Sequence, residues 1–280
     1  MSLIVATRGR AAPFQQLFDS LEAQTYRAFE VIVVDQNPDD RLAPFFAERA
    51  WSFPLHHLHT PTQAGASRAR NAGLRQATGA IVLFPDDDCW YPPAFLAAAA
   101  ERMAALNADV IAGRAADESG RDINGRFERQ PQHIDRANVW TTGIEWVVFF
   151  KRAVLDVLGG YDPDIGIGAS TPWQSCEAQD IMLRALDRGF ACFYDPTLYG
   201  HHAELDIDHP SMLRKGRAYG RGLGHVLRLH HYPLVVAANW IARPAVKAVL
   251  SLARGKTRRF RYYCNVALGR CEGWFGHLAG

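Results

Sequence analysis

Apolar residues in this chain come in short runs, separated by stretches that repeat at helical spacing. LIVA (3–6), VIVVD (31–35), AIVLF (80–84) and DVIAG (109–113) read as strands. LHHLH (55–59) and ACFYD (191–195) read as shorter ones, and TTGIEWVVFFKR (141–152) carries another. Residues 12–24, 40–50, 66–79, 92–107 and 176–190 follow a helical pattern. Pro13 stands near the start of the first of these, where a missing N–H costs little, and Gly79 and Gly189 act as stop signals. Strands alternating with helices at this spacing predict βαβ units and an α/β fold around a mostly parallel sheet. Wholly apolar strands agree, because such a sheet is covered on both faces. Residues 114–140 are polar and irregular and read as an excursion; from His209 onward the pattern is helical.

Charge divides the chain where the pattern does. Residues 209–280 hold 13 Lys and Arg against one acidic residue, Glu272, a net of +12. Residues 1–208 hold 18 Lys and Arg against 28 Asp and Glu, a net of −10, which restores the overall +2. The expected organisation is therefore a body, 1–208, made of a first half 1–113 and a second half 114–208, with a basic helical appendage at 209–280. Such asymmetry points to an anionic partner: a membrane surface, a lipid phosphate or nucleic acid. In the tail, Leu213, Tyr219, Leu223, Val226 and Leu227 can form one helical stripe ringed by cations, and KTRRFRYY (256–263) interleaves cations with aromatics. YPLVVAANWIA (232–242) is too short to span a bilayer, with Arg243, Pro244 and Lys247 interrupting its extension. Nucleic acid is not expected as a partner, because nothing upstream calls for it. The five cysteines are odd in number and lack CxxC spacing, which argues against disulfides or a zinc site and favours a reducing cytosol. No basic segment followed by a long apolar one opens the chain, so no signal peptide is expected.

Chemistry concentrates where strands end. Open parallel sheets bind ligands at the carboxyl ends of their strands. Thr7 and Arg8 follow the first strand, Asp35 ends the second, and Asp86, Asp87 and Asp88 follow AIVLF. Three adjacent carboxylates become tolerable when a divalent cation neutralises them, and hard oxygen ligands suit Mg²⁺ or Mn²⁺ with substrate phosphates. Taken alone, the triplet also reads as a polar turn capping the next helix. An EF-hand does not fit: counting from Asp86, its sixth and twelfth positions would be Tyr91 and Ala97. No GxxxxGK[ST] phosphate loop is present.

Several segments together resemble the family 2 inverting glycosyltransferases of the GT-A fold, from residue 2 to about 202. VATRGR resembles the family's first-strand loop, with Thr7 and Arg10 matching and Ala6 and Arg8 departing. VIVVDQNPDD resembles its VDDGSxD segment through Asp35 and Asp40, with Gln36 replacing an Asp. ASRARNAGLRQATG carries Arg70, Asn71 and Gly73, LFPDDDCWYP carries the DxD pair Asp86 and Asp88, and FFKRAVLDVLGGYDPDIG resembles an acceptor-side segment. The resemblance implies a Rossmann-like sheet flanked by helices. It also implies transfer of a sugar from a UDP- or dTDP-linked donor to a hydroxyl of a glycan or lipid-linked acceptor. On this reading Thr7, Arg8, Asp35, Arg70, Asn71 and Asp86 contact the donor. Asp88 ligates Mn²⁺ or Mg²⁺, and His202, after a strand and a Pro, completes the metal site. An envelope polysaccharide pathway and a peripheral place at the inner face of the cytoplasmic membrane are the expected setting.

An inverting transferase also needs a carboxylate that takes the proton of the acceptor hydroxyl. The family places it in EDxDLxxR; here the run is Glu177-Ala178-Gln179-Asp180-Ile181-Met182-Leu183-Arg184, with Ala178 where the second acid usually stands. Glu177 and Asp180 remain, sharing one helical face in a first turn, where they would also cap. Asp180 is the preferred base, with Glu177 orienting it or binding the acceptor. Trp173, in the glycine-containing loop before this helix, offers a flat face for a sugar or plugs the core. A nucleotidyltransferase using the same acidic site and a non-catalytic scaffold are the competing readings.

Overall fold

A computed structural model describes residues 1–9, 14–47 and 49–278; Arg10 and Pro13 lie outside them. The chain divides into two compact units, Met1–Tyr161 with Ile181–Glu204 and Asp162–Asp180 with Leu205–Gly280. The stretch 162–180, which the sequence pattern groups with the second half of the body, clusters with the C-terminal helices.

The first unit runs β1 (Ser2–Thr7), α1 (Phe14–Glu22), β2 (Glu30–Asp35), α2 (Ala43–Ala47), β3 (Leu55–His59), α3 (Ala66–Leu74), β4 (Ile81–Leu83), β5 (Cys89–Trp90), α4 (Phe95–Ala105) and β6 (Val110–Ala115). It continues with β7 (Gln132–His133), a 3-10 turn (Glu145–Val147), β8 (Val148–Lys151) and α5 (Arg152–Leu158). The helix α6 (Glu177–Asp187) and the strand β9 (Cys192–His202) follow; α6 belongs to this unit from Ile181 on. The sheet order is β3-β2-β1-β4-β8-β6-β9-β5, with β7 attached to β9. β3, β2, β1 and β4 are parallel, and so are β6 and β9, as the apolar strands predict. β8 runs antiparallel to both β4 and β6. The chain reaches it from β6 through the irregular excursion rather than a helix, so no parallel crossover is imposed. Leu3, Val5, Val31 and Val33 are fully buried against Phe14, Leu17, Phe18 and Leu21 of α1. Each such burial contributes about 1.5–3 kcal/mol. Helix α3 ends at Leu74, five residues short of Gly79.

The second unit holds the first turn of α6 and the helices α7 (Met212–Leu229), α8 (Leu234–Ala253) and α9 (Thr257–Phe275). Of the apolar stripe expected on α7, Val226 and Leu227 are buried and Leu213, Tyr219 and Leu223 are half-buried, but the seam between α7 and α9 is of another kind. It is a row of glycines: Gly216, Gly220 and Gly224 on α7 against Gly269 and Gly273 on α9. A Cβ at Gly269 would lie 2.1 Å from the Arg217 carbonyl oxygen, so only glycine permits this approach. Buried Glu272 accepts from Arg221 Nε at 2.6 Å and from Arg217 Nε at 3.1 Å. Pro244 lies inside α8, which runs 20 residues without a break. A proline at that position leaves the Trp240 carbonyl without its usual donor. Arg270 of α9 supplies one, which keeps α8 continuous.

Candidate active site

The fold sets Asp87 apart from its two neighbours. Asp86 forms a parallel bridge with Ala6 at the end of β1. Asp87 turns inward and is buried, and Thr7 Oγ1 donates to its Oδ2 at 2.6 Å. Asp86 and Asp88 stay partly exposed. The thiol of Cys89 lies 3.2 Å from both the Asp86 carbonyl and the Tyr91 hydroxyl, and Tyr91 Oη donates to the Trp146 carbonyl at 2.6 Å. Burial, and then the charge of Asp86, pushes the Cys89 thiol up, so it stays protonated and serves as packing rather than as a thiolate ligand. The residues behind the triplet thus anchor its backbone.

Two-residue β5 then does what the sequence pattern did not predict. It pairs antiparallel with the end of β9, Cys89 opposite His202 and Trp90 opposite His201. This brings together residues more than a hundred positions apart. His202 Nε2 lies 2.9 Å from Asp88 Oδ1, and Asp86, Asp88 and His202 each offer a ligand atom within 4.8 Å of the others. The His202 ring stacks on Trp146 at 5.7 Å, and Gly200 makes room: a Cβ there would meet Trp146 at 2.7 Å. Burial opposes charge on His202, but hydrogen bonds to Asp88 and the Ala203 carbonyl, with the charges of Asp88 and Asp86, outweigh it and raise its pKa. His201 is turned the other way, buried, with Nδ1 2.9 Å from the Ala116 carbonyl. Two carboxylates and an imidazole fit Mn²⁺ or Mg²⁺ and leave coordination positions for phosphate oxygens. Asp86, expected to contact the donor, lies within this cluster.

Arg70 is buried behind the cluster, 2.8 Å from Glu145 and 3.5 Å from Asp86, with its guanidinium 5.5 Å from the Tyr161 ring centre. Glu145 and Trp146 are site residues that sequence reasoning missed. An acid inside the apolar run GIEWVVFF was the available signal. Asn71 is engaged elsewhere: its Nδ2 donates to the Tyr161 carbonyl and its Oδ1 accepts from the Tyr161 N–H, both at 2.8 Å. Arg184 donates to the Leu158 and Gly160 carbonyls at 3.1 and 2.9 Å. Gly160 has φ +80°, and a Cβ there would lie 2.4 Å from Asn71 Oδ1. The Ala-Arg-Asn helix, the GlyGlyTyrAsp loop and the Arg at the end of the acidic motif therefore form one staple beneath the site.

Asp35 is fully buried at the end of β2. Its Oδ1 accepts from the backbone N–H and Nδ2 of Asn37 at 2.9 and 2.8 Å, and its Oδ2 faces His57 Nε2 at 3.1 Å. His57 of β3 is thus a direct partner of Asp35. Thr7, its hydroxyl committed to Asp87, supports the acidic turn. Arg8 is exposed at the end of β1.

In the second unit, Asp180 is buried, and His230, after the end of α7, holds it with Nε2 2.8 Å from Oδ1. Glu177 is also buried, at the first position of α6. Trp173 is half-buried and lies flat on His225, ring centres 4.4 Å apart and 5° from coplanar.

Comparison with known proteins bears on the family and the fold. The chain is 23% identical over 232 residues to the glycosyltransferase AglE of Haloferax volcanii, covering 79% of this chain and 72% of that one. It is 39% identical over 93 residues to an uncharacterized glycosyltransferase of Haemophilus influenzae, covering 33% of this chain and 31% of the relative. Among solved structures, the mannosyltransferase PcManGT of Pyrobaculum calidifontis, in complex with GDP-Man and Mn²⁺, superposes with a TM-score of 0.66 at 18% identity, over 98% of this chain and 87% of that one. TarS of S. aureus, in complex with UDP, superposes with a TM-score of 0.59 at 18% identity, over 100% and 92%. These likenesses place the fold among the GT-A type. The sequence model of glycosyl transferase family 2 matches residues 2–155, more than half of the 280, and the chain therefore belongs to that family.

Proposed function

We propose that this glycosyltransferase moves a sugar from a nucleoside diphosphate donor, UDP- or dTDP-linked, to a hydroxyl of a glycan or lipid-linked acceptor, with inversion and with a divalent metal. The observation that carries the reading is the gathering of Asp86, Asp88 and His202 within 4.8 Å at the carboxyl end of the sheet. The complexes of structural neighbours with UDP, UDP-GlcNAc, and GDP-Man with Mn²⁺ support a nucleotide-sugar donor and a metal of this kind. Envelope polysaccharide synthesis at the inner face of the cytoplasmic membrane is the setting that suits a basic tail on an acidic body.

Asp86, Asp88 and His202 would hold Mn²⁺ or Mg²⁺, which supplies Lewis-acid charge at the leaving diphosphate. Arg70 fixes Asp86 from behind and adds a positive charge beneath the diphosphate. Asp35, held by Asn37 and His57, lies at the nucleotide end of the sheet and accepts from the base. Asp180 takes the proton of the acceptor hydroxyl, with Glu177 beside it in the same first turn and His230 fixing the carboxylate. Trp173 offers its ring to the acceptor sugar.

Asp180→Asn tests the assignment. Transfer should fall by about 10²–10⁴-fold, the range for a lost general base, while nucleotide binding followed by thermal shift stays intact. Near-normal turnover would move the role to Glu177.

A further inference from the structure

Among the described residues, α8 is the helix long and apolar enough to cross a membrane by length and composition. Within the second unit only one side of it is covered. Ala237, Pro244, Ala248 and Ser251 are its buried positions. At 100° per residue, Val235, Ala242, Val246 and Val249 fall on the opposite side. That side is bare: Val235 is 73% exposed, Val246 57% and Val249 66%. Leu234, at the helix start, is 65% exposed. An uncovered apolar face of this kind is water-facing surface that folding alone does not explain.

The charges on this helix are placed as strictly. Arg243, Lys247 and Arg254 follow one another at i, i+4 and i+11, so they line one flank between the covered seam and the bare face; all three are exposed. Arg243 lies over the Trp240 ring at 4.3 Å, a geometry in which an aromatic body and a cation share one interface. The turn into α9 adds exposed Lys256 and Arg258. Nearby acids are already committed: Glu272 to Arg217 and Arg221, and Asp208 to Arg259 at 2.6 Å. Lys247 Nζ lies 5.5 Å from the Tyr263 ring centre, and Arg243 and Arg254 reach solvent beside it.

We propose that the bare face of α8 lies in the headgroup region of an anionic bilayer, with Val235, Val246 and Val249 entering the acyl boundary and Arg243, Lys247 and Arg254 meeting lipid phosphates along one edge. This deepens the membrane-side reading of the tail by naming its surface. Two cations and a proline at mid-helix favour lying in the interface over spanning it. The α7 stripe expected from sequence plays no part, since α7 faces α9 through its glycines.

The test uses the full chain and vesicles of phosphatidylcholine with or without phosphatidylglycerol. The wild type should co-sediment with the phosphatidylglycerol vesicles at low salt, release as salt rises, and bind the neutral vesicles weakly. Val246→Asp/Val249→Asp should lower partitioning at least about tenfold with unchanged melting, because both positions are exposed. Arg243→Gln/Lys247→Gln/Arg254→Gln should remove the preference for phosphatidylglycerol. Wild-type protein left in the supernatant, or an aspartate variant that binds undiminished, overturns the proposal. So does a two-copy assembly in equilibrium sedimentation that the aspartate variant splits, since a second copy would then cover the face. Donor turnover without vesicles is measured in parallel, so failure to bind lipid stays distinct from failure of the catalytic reading.

Discussion

His202 is the side chain where metal binding and proton binding compete. Its imidazolium is favoured by Asp88 and Asp86, the same carboxylates that would share a metal with its neutral form. The sign follows from the raised pKa. In the metal-free protein the pair stabilises the fold fully below the ordinary imidazole value, and that contribution is lost as pH rises through the elevated folded value. Metal affinity runs the other way. Calorimetric titration with Mn²⁺ should show affinity rising with pH, by at most about tenfold per unit for one released proton, and levelling above the folded pKa. His202→Asn should bind more weakly and lose this dependence; an unchanged slope in that variant would remove His202 from the site. At this scale Asp86, Asp88 and His202 were legible in sequence because their types and order suit the chemistry. Asp87, Glu145 and His57 were not. Their roles come from partners 80, 75 and 22 positions away, namely Thr7, Arg70 and Asp35, and no local pattern records such pairs.

Secondary elements were legible in proportion to their length. The apolar runs at 31–35, 55–59 and 109–113 became β2, β3 and β6 within a few residues. β5 was not foreseen: two residues carry no periodicity, and it exists through its pairing with β9. Strand β9 itself runs to His202, past Pro196, because His201 and His202 answer Trp90 and Cys89 across the ladder. The α7–α9 seam was missed for a different reason. Apolar periodicity finds helices that meet through side chains, whereas these meet through backbone, and glycines leave no hydrophobic signal. Gly269→Ala should therefore destabilise the helical unit by about 1–3 kcal/mol, the usual cost of overpacking. Chemical denaturation with a helical signal measures this, and a stability change under about 0.5 kcal/mol would mean the helices can separate cheaply.

On the scale of the whole chain, two facts joined to give the functional reading. The family match covers residues 2–155 and thus the segments that carry Asp35, Arg70, Asp86 and Asp88. His202, Glu177 and Asp180 lie beyond it and rest on geometry and on the order of motifs. The charge division, −10 against +12, was visible in the sequence, but which surface presents the positive charge was not. Internal pairs with Glu272 and Asp208 absorb part of it, and the exposed cations include Arg243, Lys247 and Arg254 on the flank of α8. The central claim, metal-dependent sugar transfer at Asp86, Asp88 and His202, is tested most directly by the product released. Purified protein incubated with UDP- and dTDP-sugars and Mn²⁺ should liberate nucleoside diphosphate, slowly by donor hydrolysis even without acceptor. Chelation or Asp88→Ala should remove the activity by at least about 10²-fold. Release of pyrophosphate instead, or release that persists undiminished in Asp88→Ala, would contradict the account.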